Sequence, residues 1–259
     1  GRMKILSLGW GVQSFTLAAM AALGEIEMPD VAINADTGYE SVLTYDFARR
    51  WSGWLEERGV KVVTVKGDNS PVIANRGRGG RTNTELPAFT ESKNGPGGML
   101  RRQCTNRWKI APMRRWIQAN RNGQPVEQWL GISTDEWQRM RDSDVKYITN
   151  RYPLIEMRMS RAGCIDWLQK HGLEVPPKSA CYFCPFHRTS EWRAVKNTSD
   201  WPLVVAVDEQ IRDARPSALG LKLYLHPSLR PIDEVDFRSE QEKGQLSLWD
   251  AECSGICGI

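Results

Sequence analysis

Cys181 and Cys184 form a C-x-x-C pair in "SACYFCPFH", followed by Pro185 and His187. A single pair at this spacing fits a zinc ion, an iron–sulfur cluster or a redox dithiol. A tetrahedral metal site needs further ligands. Cys104 in "RRQCTNRWKI" is the candidate third, with arginines and Lys109 nearby to offset thiolate charge. His187 as a fourth ligand would tilt the site toward Cys₃His zinc; the alternative is a surface or hydrogen-bonded histidine. Cys253 and Cys257 stand in "DAECSGICGI". A glycine-flexed segment of this kind can fold back and deliver a thiolate nucleophile, or complete the metal site. The apolar residues Leu246, Leu248, Trp249 and Ile256 imply that it docks. The remaining cysteine, Cys164, sits in an amphipathic helical pattern and reads as core.

A second chemistry lies near the start, in "MKILSLGWGVQS". An apolar run ends in a loop with Ser7, Gly9, Gly11 and Ser14, and a strong helix former follows. Strand, small-residue loop and helix N-terminus together offer backbone N–H groups and a favourable partial charge to a phosphate. The loop is neither GxxxxGK[ST] nor GxGxxG, and it contains no lysine. The turn "ADTGYE" adds Asp36, Thr37, Gly38 and Glu40. Acidic and hydroxyl groups beside a phosphate loop can bind a ribose, a base edge or a magnesium ion. They also read as a helix start, with Asp36 or Thr37 capping and Glu40 at the capping-box position.

The elements that must hold these residues alternate. Strands are expected at "KILSL", "DVAINAD", "VKVVTVK" and "VEQWLGI". Helices are expected over residues 14–24, through "ESVLTYDFARRWSGWLEERG" and through "NRWKIAPMRRWIQAN", interrupted or started near Pro112. The pattern predicts an α/β fold: a doubly wound, mostly parallel sheet with helices on both faces. Both candidate turns then lie at the carboxyl edge, where such sheets bind ligands. Residues 1–150 read as the nucleotide-binding α/β domain. Within it, 68–103 form a Gly-, Pro- and Arg-rich insertion, either a solvated loop or an arginine-bearing lid. Residues 151–259 read as a metal-binding C-terminal region and tail, with helices at "SRAGCIDWLQKHG", "SEWRAVKN" and "WPLVVAVDEQIRDA" and an irregular last thirty or so residues.

Composition narrows the class. The chain has 259 residues, 41% of them hydrophobic, six cysteines and a formal net charge of +4. That is enough apolar material for a core, and the charge suits an anionic ligand. No apolar run is long enough to span a membrane and no signal-peptide pattern is seen. A cytoplasmic location without a membrane partner is therefore expected.

Taken in order, these segments resemble the phosphoadenosine phosphosulfate (PAPS) reductase family of the adenine nucleotide alpha-hydrolase, or PP-loop, superfamily. "SLGWGVQS" looks like its modified PP-loop and "ADTGYE" like its DTGxE turn. "CTNRWKIAPMRRWI" is similar to its cysteine and Lys/Arg-x-x-Pro segment. "QWLGISTDEWQRMR" is similar to its strand and substrate loop, and the stretch ending in "CYFCPF" to its second cysteine pair. The resemblance implies an adenine nucleotide (ATP, PAPS or its 3′-dephospho analogue APS), with a possible role for Mg²⁺. The implied nucleotide-binding residues include Gln13, Lys109, Gly131 and Arg139. It further implies a [4Fe–4S] cluster, zinc being the alternative, on Cys104, Cys181 and Cys184. The implied reaction is attack of a tail thiolate, Cys257 or Cys253, on a sulfonucleotide, resolved by a thiol reductant.

The departures matter. Gln13 stands where ATP-splitting members carry aspartate, which leans toward the reductases. Gln103 precedes Cys104 where cluster-bearing reductases have a second cysteine. Three ligands resemble instead the ATP-dependent sulfurtransferases of tRNA thiolation and DNA phosphorothioation, whose open iron carries sulfur from a donor. Trp10 either stacks on a ligand ring or covers the sheet edge. "QLSLW", Gln245 to Trp249, looks like a peptide that docks on the DNA sliding clamp. Nucleic acid and the clamp are thus further expected partners, and a non-catalytic nucleotide- or clamp-binding module is the third reading.

Overall fold

In the computed structural model, residues 1–67, 75–76, 82–84, 86–92, 94–100, 104–214 and 222–239 are described. Cys253, Cys257 and the Gln245–Trp249 peptide lie outside them. The apolar runs near the start become adjacent parallel strands: β1 (Met3–Ser7), β2 (Val31–Asp36) and β3 (Val62–Lys66). The chain then returns to the other side of β1 with β8 (Val126–Trp129) and β9 (Ile148–Arg151), also parallel, the latter followed by the single-turn α4 (Pro153–Glu156). The order β3-β2-β1-β8-β9 therefore reverses direction between β1 and β8. Two loops diverge there and leave a crevice beyond the strand ends.

Alternation within the strands sends side chains to two cores. Leu6 and Ala32 face Phe15 and Leu17 of α1 (Val12–Ala22), Phe47 and Leu55 of α2 (Val42–Glu57) and Leu168 of α5 (Arg161–Lys170). Ile5, Val31 and Ile33 face Ile117 of α3 (Ala111–Asn120) on the opposite side. Both faces are covered, so the central strands are nearly all apolar. The expected α/β architecture is present. Among the described residues no helix is long and apolar enough to cross a membrane.

Pro112 lies in the first turn of α3. Its missing N–H is harmless there, and the preceding turn, Asn106–Ile110, is wound as a π-helix. The strand β9 has no apolar alternation and escaped the sequence pattern. A second departure concerns residues 86–100. After the short pair β4 (Asn75–Arg76) and β5 (Thr82–Asn83), the chain forms a hairpin of β6 (Phe89–Ser92) and β7 (Gly95–Met99). The hairpin is joined by β10 (Leu223–Tyr224). Leu86 and Ala88 are buried in a third core with residues of α6 (Thr189–Lys196) and α7 (Trp201–Ile211). This part of the insertion is therefore built structure rather than a solvated loop. Its Gly-Pro-Gly-Gly composition hides a strand because Gly95 and Gly98 adopt positive φ angles that other residues avoid.

Asp208 ties this third core together. It is 1% exposed and accepts hydrogen bonds from the amides of Leu225 (2.9 Å) and Ile232 (3.0 Å) and from Arg212. One buried carboxylate thereby holds α7, β10 and the segment beyond it in register.

Candidate functional site

At the reversal between β1 and β8 lies a cleft of about 310 Å³, bordered by Ser7, Gly9, Gly11, Gln13, Ser14 and Gly131, with Lys109 and Ser179 on its far wall. The loop after β1 is held from several directions. The Gly9 amide donates to Ser14 Oγ (3.1 Å), Gln128 Nε2 donates to Ser7 Oγ (2.8 Å), and Ser179 Oγ donates to the Gly9 carbonyl. Helix α1 starts from Gly11 with no side-chain cap and no acidic residue in its first turn. The first intrahelical bond is that of the Phe15 amide to the Gly11 carbonyl. The amides of the first turn are thus left as donors at the positive end of the helix dipole, which favours an anion there.

Trp10 is not presented to a ligand. It is 3% exposed, with its ring against Phe15 and Phe47 at centroid distances of 6.3 Å each. Its φ of 58° is costly for a residue with a Cβ. Burial of the indole stabilises that conformation and anchors the loop between its two glycines.

The turn after β2 is organised by its own side chains. Asp36 Oδ1 accepts from the Gly38 amide (2.8 Å) and from the Tyr45 hydroxyl (2.6 Å). Burial first, then the Asp36 carboxylate, raises the pKa of that hydroxyl. Gly38 has φ 77°, as this tight turn requires. Thr37 Oγ1 accepts from the Tyr39 amide (3.1 Å) and lies 3.6 Å from Cys181 Sγ. The capping reading is corrected: α2 is capped by Ser41, whose Oγ accepts from the Leu43 amide (3.3 Å). Glu40 instead pairs with Lys109 at 2.9 Å while 7% exposed, and its second oxygen has no hydrogen-bond partner. None of these four turn residues borders the cleft, which reaches Asn34 and Ala35 on that side. Two of them adjoin the cysteine pair: Thr37 lies against the Cys181 thiol, and Glu40 forms a β-bridge with Cys181.

Cys104, Cys181 and Cys184 border one small chamber of about 70 Å³, together with Trp108, Phe183 and Lys109. Cys104 and Cys184, some eighty positions apart, meet because both segments dock on the turn after β2: Lys109 pairs with Glu40 and Trp108 packs on Tyr39 at 5.6 Å, while the C-x-x-C segment pairs with the turn through its backbone. The Ser41 amide donates to the Ala180 carbonyl (3.1 Å) and the Tyr182 amide to the Tyr39 carbonyl (2.9 Å). Burial, reinforced by Glu40, pushes the Cys181 thiol up to about 12, against the opposing pull of Lys109. The His187 side chain is buried, with Nε2 3.0 Å from the Cys181 carbonyl and Nδ1 3.7 Å from Glu191. Burial lowers its pKa. It therefore braces the C-x-x-C turn through a backbone oxygen. Among the described residues no three His, Cys, Asp or Glu side chains are grouped as ligands of a metal ion. Cys164 is fully buried in the first core, as its helical pattern implies.

No family model and no curated protein matches this chain. A solved structure is similar. It is the PAPS reductase from Candida auris in complex with phosphate, with a TM-score of 0.44 and 9% sequence identity over 70% of this chain and 82% of that one.

A third space, a groove of about 520 Å³, continues from the cleft across Gly11, Gln13 and Gly131. Gln13 Nε2 lies 3.4 Å from Glu136 and 3.5 Å from Ser133 Oγ at this junction. Arg139 stands in the groove and pairs with Glu136 at 2.7 Å. Ser179 borders chamber, cleft and groove alike, and sequence reasoning passed over it. The available signal was a small hydroxyl residue between a proline turn and the C-x-x-C pair.

Proposed function

We propose that this chain is a PAPS reductase-like enzyme of sulfur chemistry, with an adenine nucleotide in the cleft and its phosphates on a PP-loop-like first turn of α1. The observation that carries the reading is that the three-thiol chamber and the anion-favouring cleft share two wall residues, Lys109 and Ser179. A sulfur atom carried on the nucleotide's phosphate end would then lie beside the cysteines.

In the reductase reading, a tail thiolate from Cys257 or Cys253 attacks the sulfate sulfur of PAPS or APS. The sulfur–oxygen bond to the phosphate breaks and the nucleotide leaves with the electron pair. The loop amides and Lys109 stabilise the charge that develops on its oxygen. A thiol reductant then attacks the S-sulfocysteine, forming a disulfide and releasing sulfite. Three thiols bordering one space with an ammonium at its wall are the donor type that a soft metal group takes, although among the described residues no three of them are grouped as ligands. Cys104, Cys181 and Cys184 would hold an iron–sulfur cluster there, or alternatively a zinc ion. A cluster would supply electron- or sulfur-carrying chemistry, and zinc a structural or Lewis-acid role. Binding would displace the proton that burial keeps on Cys181.

A second reading, ATP-dependent transfer of sulfur to a nucleobase, tRNA or DNA, is favoured by the cationic groove that opens directly onto the cleft. Mg²⁺ would accompany ATP in that case. Sulfite release from PAPS or APS, lost in Cys257→Ser or Cys253→Ser, marks reduction. AMP or pyrophosphate formed from ATP in the presence of an acceptor marks transfer. Nucleotide binding without either product would leave a non-catalytic module and overturn both. Iron, sulfide and zinc analysis after anaerobic purification, alongside the visible spectrum, tests the chamber. About four irons per chain, lost in Cys104→Ala, is the cluster outcome. The Gln245–Trp249 peptide is proposed as a sliding-clamp contact, to be tested by pull-down with Leu246→Ala and Trp249→Ala.

A further inference from the structure

The turn Thr134–Arg139 carries Trp137, which is 66% exposed, more than any other large apolar side chain among the described residues. It belongs to none of the hydrophobic cores, and its ring meets no other ring or cation there. A single exposed apolar side chain is ordinary surface by itself; what singles out Trp137 is the turn it shares with two residues of the neighbouring groove. Its neighbours on the same turn, Glu136 and Arg139, border the groove that adjoins the cleft. The groove carries four cationic side chains, Arg139, Arg161, Lys178 and Arg188, against two carboxylates, Glu136 and Glu191. Both carboxylates are engaged, Glu136 with Arg139 at 2.7 Å and Glu191 with Lys178 at 2.7 Å and the Arg188 amide at 2.7 Å. Arg161 and Arg188 are exposed, and Arg161 has the Asp135 carboxylate on its backbone amide at 3.0 Å. The groove therefore carries a cationic excess, and exposed Trp137 stands on the turn that supplies Glu136 and Arg139 to its border.

We propose that this groove is the track of a single-stranded nucleic acid, with its phosphates on Arg139, Arg161, Lys178 and Arg188 and a base stacked on Trp137. Two features select this ligand over a small phosphate compound. Cationic groups distributed along a groove match a repeating backbone charge rather than one phosphate. An isolated exposed ring matches an unpaired base, whose face a duplex would hide. The groove runs into the cleft at Gly11, Gln13 and Gly131, so a neighbouring nucleotide would be directed toward the nucleotide site. The proposal deepens the sulfur-transfer reading by giving a nucleic-acid acceptor a single-stranded binding track, and it rests on that reading only for what happens after binding.

The test uses the whole chain with fluorescently labelled oligothymidylate and oligouridylate, read by anisotropy across a salt series. The two probes separate DNA from RNA, and tight binding of either one supports the proposal. Trp137→Ala should weaken binding about tenfold and abolish the quenching of tryptophan fluorescence, while Trp137→Phe keeps most of the affinity. Arg139→Gln, Arg161→Gln and Arg188→Gln should each lower the slope of log K against log salt by about 0.7. ATP and PAPS binding is measured separately on the same proteins and should be unchanged in Trp137→Ala. Oligonucleotide affinity unaltered by Trp137→Ala and by the three arginine substitutions overturns the proposal. So does complete displacement of the oligonucleotide by PAPS but not by ATP, which would assign the groove to the small nucleotide's extra phosphate. Failure to bind any adenine nucleotide, with oligonucleotide binding intact, would overturn the proposed function and leave this site standing.

Discussion

Gly131 lies so close to Ser14 that a Cβ built on it would stand 2.9 Å from the Ser14 amide nitrogen and 3.1 Å from its Cα. The loop after β8 thus presses on the first turn of α1, backbone against backbone, at the point where the sheet order reverses. Gly131→Ala must displace one of the two segments. The expected cost is about 1–3 kcal/mol of stability. A loss of ATP or PAPS affinity of tenfold or more, by calorimetry, should accompany it. Affinity equal to the parent's would refute the placement of the nucleotide against this turn.

The Lys109–Glu40 pair gives a second test. Lys109→Met leaves a carboxylate that is 7% exposed without its cation, which should cost about 1–3 kcal/mol in urea denaturation. Adding Glu40→Gln should restore most of that stability, because the uncompensated charge is gone. Turnover should not return, since Lys109 borders both chamber and cleft. Recovery of activity in the double variant would show that Lys109 serves only to neutralise Glu40.

Asp208→Ala should be among the most damaging single changes, at about 3–5 kcal/mol, because it strands two backbone amides and Arg212 in the third core. Asp208→Asn keeps acceptor capacity and should cost less. Thermal unfolding of the two variants distinguishes them, and equal midpoints would contradict the assignment.

Burial pushes the Cys164 thiol up to about 11, against an ordinary value of 9.0. The folded state therefore holds this proton more tightly than the unfolded chain. The resulting stabilisation is whole below about pH 9 and is lost as pH rises toward 11. In Cys164→Ala that part of the alkaline decline should disappear, at the expense of a cavity. Mass spectrometry after iodoacetamide treatment at neutral pH should find Cys164 unmodified until denaturant is added. Rapid labelling of the native protein would show that the site opens.

Much of the fold can be read along the chain. The apolar strands, the helices at 3.6-residue spacing and Pro112 at a helix start all depend on neighbours within a few positions. The small-residue loop after β1 is legible for the same reason, since strand, small residues and helix start are contiguous. The hairpin Phe89–Met99 is not, because a Gly-Pro-Gly-Gly strand is stabilised by its partners rather than by propensity. Nor is the Ser41 cap, since the Asp36 turn consumes the side chains that a local capping rule would have used.

By itself the sequence determined which chemistries were available: three thiols in two segments, a small-residue loop before a helix, and a net basic charge. Only the tertiary structure decided their adjacency. Ser179 reaches the Gly9 carbonyl across 170 residues, and Thr37 meets Cys181 across 144. Tertiary packing likewise buried Trp10 and exposed Trp137, two residues of the same type in loops beside the same sheet edge. The reason is physical. Turns and periodicity are set by short-range sterics and hydrogen bonding, whereas contacts between distant segments follow from how the helices cover the sheet and from where the strand order reverses.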